Sequence, residues 1–456
     1  MNGPRRLLAG MREAAEHTPA RRDRYIDLLR ALAIVLVAVG HWLMVVVETG
    51  DGIDGGNALA DLPWAEPLTW FFQVMPVFFL VGGYSHAASL ASHRRKGGDT
   101  TGWLLGRTDR LLRPTTLFLC LWWAAAFGAV SLGADPTIVG LAVWAATIPL
   151  WFLTAYLAVV LLAPALYALH RRFGAAVPAV LVGLVAVLDL LRLGSGVPVV
   201  GEANHLLVWI ALHQCGFVLY DHPGAGRPAP WSGLTVLGLA LLCALTVFGP
   251  YPVSMVDVPG AEMGNASPPS LALLVLGLTQ TCLALSLAGP ARRLLRAGGP
   301  WTAVVGVNTV VLTLFLWHMS AAILAGVLLY GTGLLPQPPV GSAEWLLLRV
   351  PWVLGVSAVM IVLLALLGPV EARTGPSGAG RRAGRLRGVG AALKGRTVVV
   401  WCALPAAFAG FAWCALAGPG MHGAGALPTA GFVLYLGAAA VLREARRSVA
   451  RDTGRG

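Results

Sequence analysis

Apolar residues fall along this chain in long runs of about 17–25 residues, separated by short polar stretches. A helix rises about 1.5 Å per residue, so about 20 apolar residues cross the hydrocarbon layer and each run predicts a span. Such runs lie at 27–47, 68–90, 114–132, 149–169, 177–191, 204–220, 231–250, 271–288, 302–330, 345–367, 397–417 and 426–442. The pattern predicts an all-α fold, a polytopic integral membrane helical bundle with about ten core transmembrane helices plus two C-terminal ones. Its parts are a basic N-terminal tail (1–23), the main transmembrane domain (24–370), a Gly/Arg-rich basic linker (371–396), two extra helices (397–442) and a basic C-terminal tail (443–456).

The polar stretches alternate in sign. The first holds Glu48, Asp51, Asp54, Asp61 and Glu66 and no Lys or Arg, whereas the next holds Arg94, Arg95, Lys96, Arg107, Arg110 and Arg113. Basic loops stay in the cytoplasm, so this order predicts a multi-pass protein of the cell (cytoplasmic) membrane with both termini inside. A hydrophobic share of 57% against 12% charged, with a mean hydropathy of +0.73, excludes a soluble domain. The net charge of +12 resides in loop arginines that set orientation, and no nucleic-acid partner is expected. The six cysteines fall within apolar runs without CxxC spacing and read as small buried residues. Arg21-Arg22 precedes an apolar run too long for an export signal, so that run reads as the first span.

Two residues contradict the apolar pattern of that span. Arg30 and His41 lie inside it, where an ionisable group near the middle costs about 2.5–3.5 kcal/mol and tends to be functional. Eleven residues apart, they leave one helix face about 16 Å from each other along the axis. Arg30 also reads as an orientation charge paired with Asp27, and His41 as an interhelical hydrogen-bonding group. Glu48, seven residues beyond His41, falls on nearly the same face and reads as a rim charge or an orienting group.

Further polar side chains sit in other spans. Gln73 and His86 flank a centre in the second span, where Pro76 and Gly82-Gly83 predict a kink and a close helix approach. His318 lies deep in the ninth span with Asn308 and Thr309 below it. His318, Gln73, Tyr84, Glu48 and Asn308 are the candidates for a substrate cavity. His205 and His213, with Asn204 and Gln214, are polar enough to face a cavity, but they are rotated by about 80° from one another and make no metal pair. No HExxH, CxxC or acidic cluster supports a metal site. Asp189 and Arg192 read as a local ion pair.

The string Tyr25-Ile26-Asp27-Leu28-Leu29-Arg30-Ala31-Leu32-Ala33-Ile34, followed by Gly40-His41, resembles the opening of the bacterial membrane-bound acyltransferase family 3, integral membrane O-acyltransferases marked by this arginine and histidine. Met75-Pro76-Val77-Phe78-Phe79 with Gly83-Tyr84 resembles its second block, Trp151-Phe152-Leu153 with Tyr156 and Pro164 its fourth span, and Leu316-Trp317-His318-Met319 a late block. The matches run in order over 24–370. Val74 stands where the family often has His, and Gly82 where it often has Ser.

The resemblance implies transfer of an acyl group, commonly acetyl, from acyl-CoA (acetyl-CoA) to a hydroxyl of a carbohydrate, cell-envelope glycan or natural product. Imidazole titrates near 6.5, so His41 suits a general base, with acylated nucleophile as the other possibility. The planar charge of Arg30 suits a donor phosphate or thioester oxygen, and Arg94, Arg95, Lys96, Arg110 and Arg113 could hold the nucleotide end. A membrane transporter or flippase using Arg30 and His41 as its substrate or proton site is the alternative, although the chain halves show no internal similarity. The expected partners are the lipid bilayer, acyl-CoA and a hydroxyl-bearing acceptor.

Overall fold

The computed structural model describes residues 22–48, 54–195, 198–222, 228–372 and 397–452, with residues 13, 16 and 17. Most of the N-terminal tail, the linker beyond residue 372, residues 453–456 and Asp51 lie outside the described residues. Helix α1, Arg24–Met44, carries the first apolar run. It ends where three β-branched residues, Val45, Val46 and Val47, favour extended backbone. They form β1, Val45–Glu48, antiparallel to β2, Asp54–Asn57, with Val45 opposite Asn57 and Glu48 opposite Asp54. Glu48 is therefore not on the helix face of His41, and the helical geometry expected of it is absent.

The second span is broken rather than kinked. A short helix α2, Thr69–Phe72, stops before Gln73, and α3, Met75–Arg95, begins two residues later. Pro76 has no N–H to offer the carbonyl of Phe72, which instead accepts from the Val74 N–H at 2.9 Å. The amide of Gln280 donates to the carbonyls of Trp70 (3.1 Å) and Gln73 (2.9 Å), satisfying groups the break releases.

Helix α4, Thr100–Ser131, starts well before the expected span at 114. Asp99 caps it by accepting from the Gly102 N–H at 3.1 Å, so Arg107, Arg110 and Arg113 are on a helix and not in a loop. A short helix the long-run criterion overlooks, α5, Pro136–Thr147, follows; Asp135 caps it and Pro136 takes its first turn. The chain continues as α6, Leu150–Phe173; α7, Ala176–Ser195; α8, Asn204–Asp221; α9, Pro228–Cys243; and α10, Leu271–Leu294.

The expected ninth span divides into α11, Gly298–Thr309, and α12, Val311–Leu329. Asn308 and Thr309 side chains bond the carbonyls of Val304 and Val305, competing with the helical ladder beside a run of valines. Helix α13 is Ala343–Ala372, and its Glu371 restores what the break exposes. That carboxylate accepts from the N–H groups of Leu312 (2.9 Å) and Thr313 (2.6 Å) and from the Thr313 hydroxyl (2.7 Å), capping α12. The last helices are α14, Thr397–Ala415, and α15, Thr429–Asp452. Among the described residues ten helices are long and apolar enough to cross a membrane, so the protein is an all-α multi-pass membrane protein. The expected spans at 204–220 and 426–442 fold as α8 and α15 but are more polar and fall outside those ten.

The chain divides into two compact units. One comprises Met1–Gly40, Leu59–Ala88 and Ala165–Val311, the other His41–Ala58, Ser89–Pro164 and Leu312–Gly456. In the first, Ala31, Leu295, Trp301, Val304 and Val305 form an apolar cluster, and α3 meets α8 at two glycines. A Cβ on Gly83 would lie 1.9 Å from the His213 carbonyl oxygen, and one on Gly216 would lie 2.2 Å from that of Leu80. The close approach expected from Gly82-Gly83 is realised at Gly83. In the second unit the extra helices brace α4: the Tyr435 hydroxyl donates to the Leu112 carbonyl (3.1 Å) and lies 2.9 Å from Thr116 Oγ1. The Asp109 carboxylate pairs there with Arg113 and Arg446.

Two stability outcomes follow from these contacts. Gly216→Val inserts side-chain atoms where backbone already lies, and should lower stability by at least about 1–3 kcal/mol. A thermal midpoint in detergent indistinguishable from wild type would contradict the packing. Glu371→Ala removes a buried acceptor of three hydrogen bonds and should lower stability by about 1–3 kcal/mol, with Glu371→Gln losing less. Equal midpoints for all three proteins would show that the cap contributes nothing.

Candidate active site

In the second unit, His41 in the last turn of α1 meets His318 of α12, with ring centroids 5.0 Å apart at 61°. Neighbouring hydrogen bonds fix the pair. The Trp42 indole donates to the His318 carbonyl at 2.9 Å, and the Trp352 indole donates to the Trp42 carbonyl at 2.7 Å. Both indoles are buried, so each bond joins helices in a medium that offers no competing water. Trp317 and Phe315 pack edge-on to Phe118 and Phe152, holding the turn of α12 that carries His318.

The tautomer of His318 follows from its partner. Nδ1 lies 2.6 Å from the Phe315 carbonyl, which can only accept, so Nδ1 carries the proton. In the neutral ring Nε2 then bears the lone pair. That atom is buried and has no hydrogen-bond partner among the described residues. A neutral His318 sets no second positive charge beside His41, and a neutral imidazole is the form that accepts a proton from a hydroxyl. The closing of His318 upon His41 could not be read from spacing, because it depends on the break that sets where α12 begins. The indoles of Trp42 and Trp352 carried no sequence signal beyond adjacency to His41.

In the first unit, Arg30 Nη1 donates to Asp27 Oδ1 (3.2 Å) and Nη2 to the Ser85 hydroxyl (2.7 Å). Arg22 also pairs with Asp27, so one buried carboxylate faces two guanidinium groups. The expected Asp27–Arg30 pair is present. It does not exhaust Arg30, which has five N–H donors and uses two of them among the described residues. Asn308 donates to the Asp27 carbonyl at 2.8 Å, and its Oδ1 is buried without a partner among the described residues. Arg30, Ser85 and Asn308 thus surround Asp27 with polar atoms of three helices.

A second histidine pair lies in the same unit. The glycine contact of α3 and α8 brings His86 Nδ1 within 3.0 Å of His213 Nε2, so one ring donates to the other. Both rings are buried, and Phe217 packs edge-on to His213. His86 is therefore an interior residue; three positions beyond Gly83, it sits where the close approach leaves room for a ring.

The other sequence candidates are placed as follows. Gln73 is buried in the break of the second span, donating to the Met255 carbonyl at 3.0 Å, which makes it a brace for the 249–270 segment. Tyr84 is half-buried, edge-on to Tyr220 at 5.5 Å. Arg94, Arg95 and Lys96 are exposed at the end of α3. Arg110 and Arg113 are half-buried on α4, and Arg113 is engaged by Asp109 at 3.0 Å. Asp189 and Arg192 do form a local pair at 2.9 Å, and Asp189 also accepts from the Tyr251 hydroxyl (2.8 Å) and the Leu271 N–H (2.7 Å).

Comparison with known proteins places this architecture. No curated protein and no solved structure matches the chain. The family described as an acyltransferase domain, acyltransferase family 3, matches residues 23–368, a range that takes in Arg30, His41, the broken second span and His318. The chain is therefore a membrane acyltransferase belonging to acyltransferase family 3.

Proposed function

We propose that this acyltransferase moves an acyl group, acetyl in the simplest case, from acyl-CoA to a hydroxyl of a carbohydrate, cell-envelope glycan or natural product. The contact of His41 with His318 is the observation that carries the reading. The acceptor hydroxyl loses its proton to His41 while its oxygen attacks the thioester carbonyl. The new C–O bond replaces the C–S bond, and the proton passes to the departing thiolate. His318 holds the His41 ring edge-on, and its Nε2 lone pair is available beside it.

Arg30 serves the donor. Its remaining N–H groups suit a phosphate or the thioester oxygen, and Ser85 and Asp27 orient the guanidinium plane. The exposed Arg94, Arg95 and Lys96 are assigned to the nucleotide end, on the cytoplasmic side where both termini would lie. Arg113 is the weaker choice for that role because Asp109 already neutralises it.

Purified protein supplied with acetyl-CoA and a hydroxyl acceptor tests the roles. His41→Ala should lower turnover at least about 100-fold, the span of a lost general base, with little change in thermal midpoint. Near-normal turnover would remove His41 from the chemistry. Arg30→Lys keeps the charge and loses the fork, so the KM for acetyl-CoA should rise about tenfold, equivalent to one charge-assisted hydrogen bond. An unchanged KM would exclude Arg30 from donor binding.

A further inference from the structure

In the first unit Glu202, His205 and Ser267 lie together, and none of them contacts Arg30 or either histidine pair. His205 Nδ1 is 3.2 Å from the Glu202 carboxylate and 3.3 Å from the Glu202 main-chain carbonyl. Both of those atoms are acceptors, so Nδ1 carries the proton and Nε2 presents a lone pair. That Nε2 is 3.3 Å from Ser267 Oγ, which directs the hydroxyl proton toward the ring. Carboxylate, imidazole and hydroxyl stand in the order that activates a serine, and the order of roles matters more than sequence position. Their lengths are at the loose end for hydrogen bonds, as in unliganded sites of this kind.

The serine is held on a rigid support. Buried Asn265 donates to the carbonyls of Pro252 and Ser254, both at 2.8 Å, and accepts from the Ser270 hydroxyl at 2.5 Å. The N–H of Ala266 donates to Asp257 at 3.3 Å, and the N–H of Ser267 bonds the same carboxylate. His205 is anchored separately, in the first turn of α8. All three side chains are exposed, so a substrate can arrive from water.

We propose that Ser267 is a nucleophile for carboxylic esters, with His205 as its base and Glu202 as a positioning residue. Ser267 Oγ bonds the acyl carbon while its proton moves to His205 Nε2. The ester C–O bond breaks and the leaving alcohol takes that proton; water then releases the acid by the same steps in reverse. The reaction needs neither acyl-CoA nor His41, so its outcome is read independently of the reading above.

The test uses the full-length protein in detergent with a fluorophosphonate probe and with p-nitrophenyl acetate. Peptide mass spectrometry should find the phosphonyl group on Ser267. Labelling and ester hydrolysis should be lost in Ser267→Ala and fall at least about 100-fold in His205→Ala. Glu202→Gln should cost no more than about tenfold, because the main-chain carbonyl still fixes the tautomer. That loss should fall on kcat with the KM for p-nitrophenyl acetate unchanged, since Glu202 acts through His205 and not on the ester, and Glu202→Asp should recover part of it. An unlabelled Ser267, or labelling undiminished in His205→Ala, overturns the proposal. A change confined to KM in Glu202→Gln overturns the role given to Glu202.

Discussion

Inside a membrane, a backbone N–H or carbonyl released from a helix must find its partner within the protein, and this constraint governs both interrupted spans. At the break before α3 the carbonyls of Trp70 and Gln73 are met by one side chain, that of Gln280. At the break before α12 the freed N–H groups are met by the carboxylate of Glu371. The two repairs differ in chemistry because the helix ends differ. A carbonyl end calls for a donor amide, and an N–H end, with its partial positive charge, calls for an anion. Each break has a local cause as well, Pro76 in one and the Asn308-Thr309 side chains in the other.

Once α12 is capped, the position of His318 along it is set, and with it the meeting of the two imidazoles. The Trp352 to Trp42 to His318 sequence of hydrogen bonds then ties α1, α12 and α13 at the same level. The result is a pair of rings in which one tautomer is dictated by a main-chain carbonyl. Arg30 is constrained in another way, by a carboxylate that it shares with Arg22 and by Ser85 on α3. The first unit thus holds a fixed charge with unspent donors, and the second an imidazole whose Nε2 meets no hydrogen-bond partner among the described residues.

Much of this was legible in the residues, and the reasons for the remainder are physical. Arg30, His41 and His318 stand out because each is an expensive group in an apolar run, and their family blocks keep order along the chain. The close approach at Gly83 could be anticipated, but its partner Gly216 could not, since periodicity within one helix does not name the helix opposite. Run length failed wherever a helix was short or part polar: α5 has 12 residues, and α4 begins at Thr100, capped by Asp99, with polar early turns in which Asp109 pairs with Arg113. It also failed for Glu48, because a valine run long enough to extend a helix in composition prefers a strand when a partner strand is available.

The reading of this protein as an O-acyltransferase is tested most directly on its product. Envelope glycans and secreted metabolites from cells with and without the chain can be compared by mass spectrometry before and after mild alkali. The expected result is an alkali-labile O-acyl ester found only in cells that carry the protein. Identical ester content in both, with acyl-CoA left unconsumed by the purified protein, would contradict it.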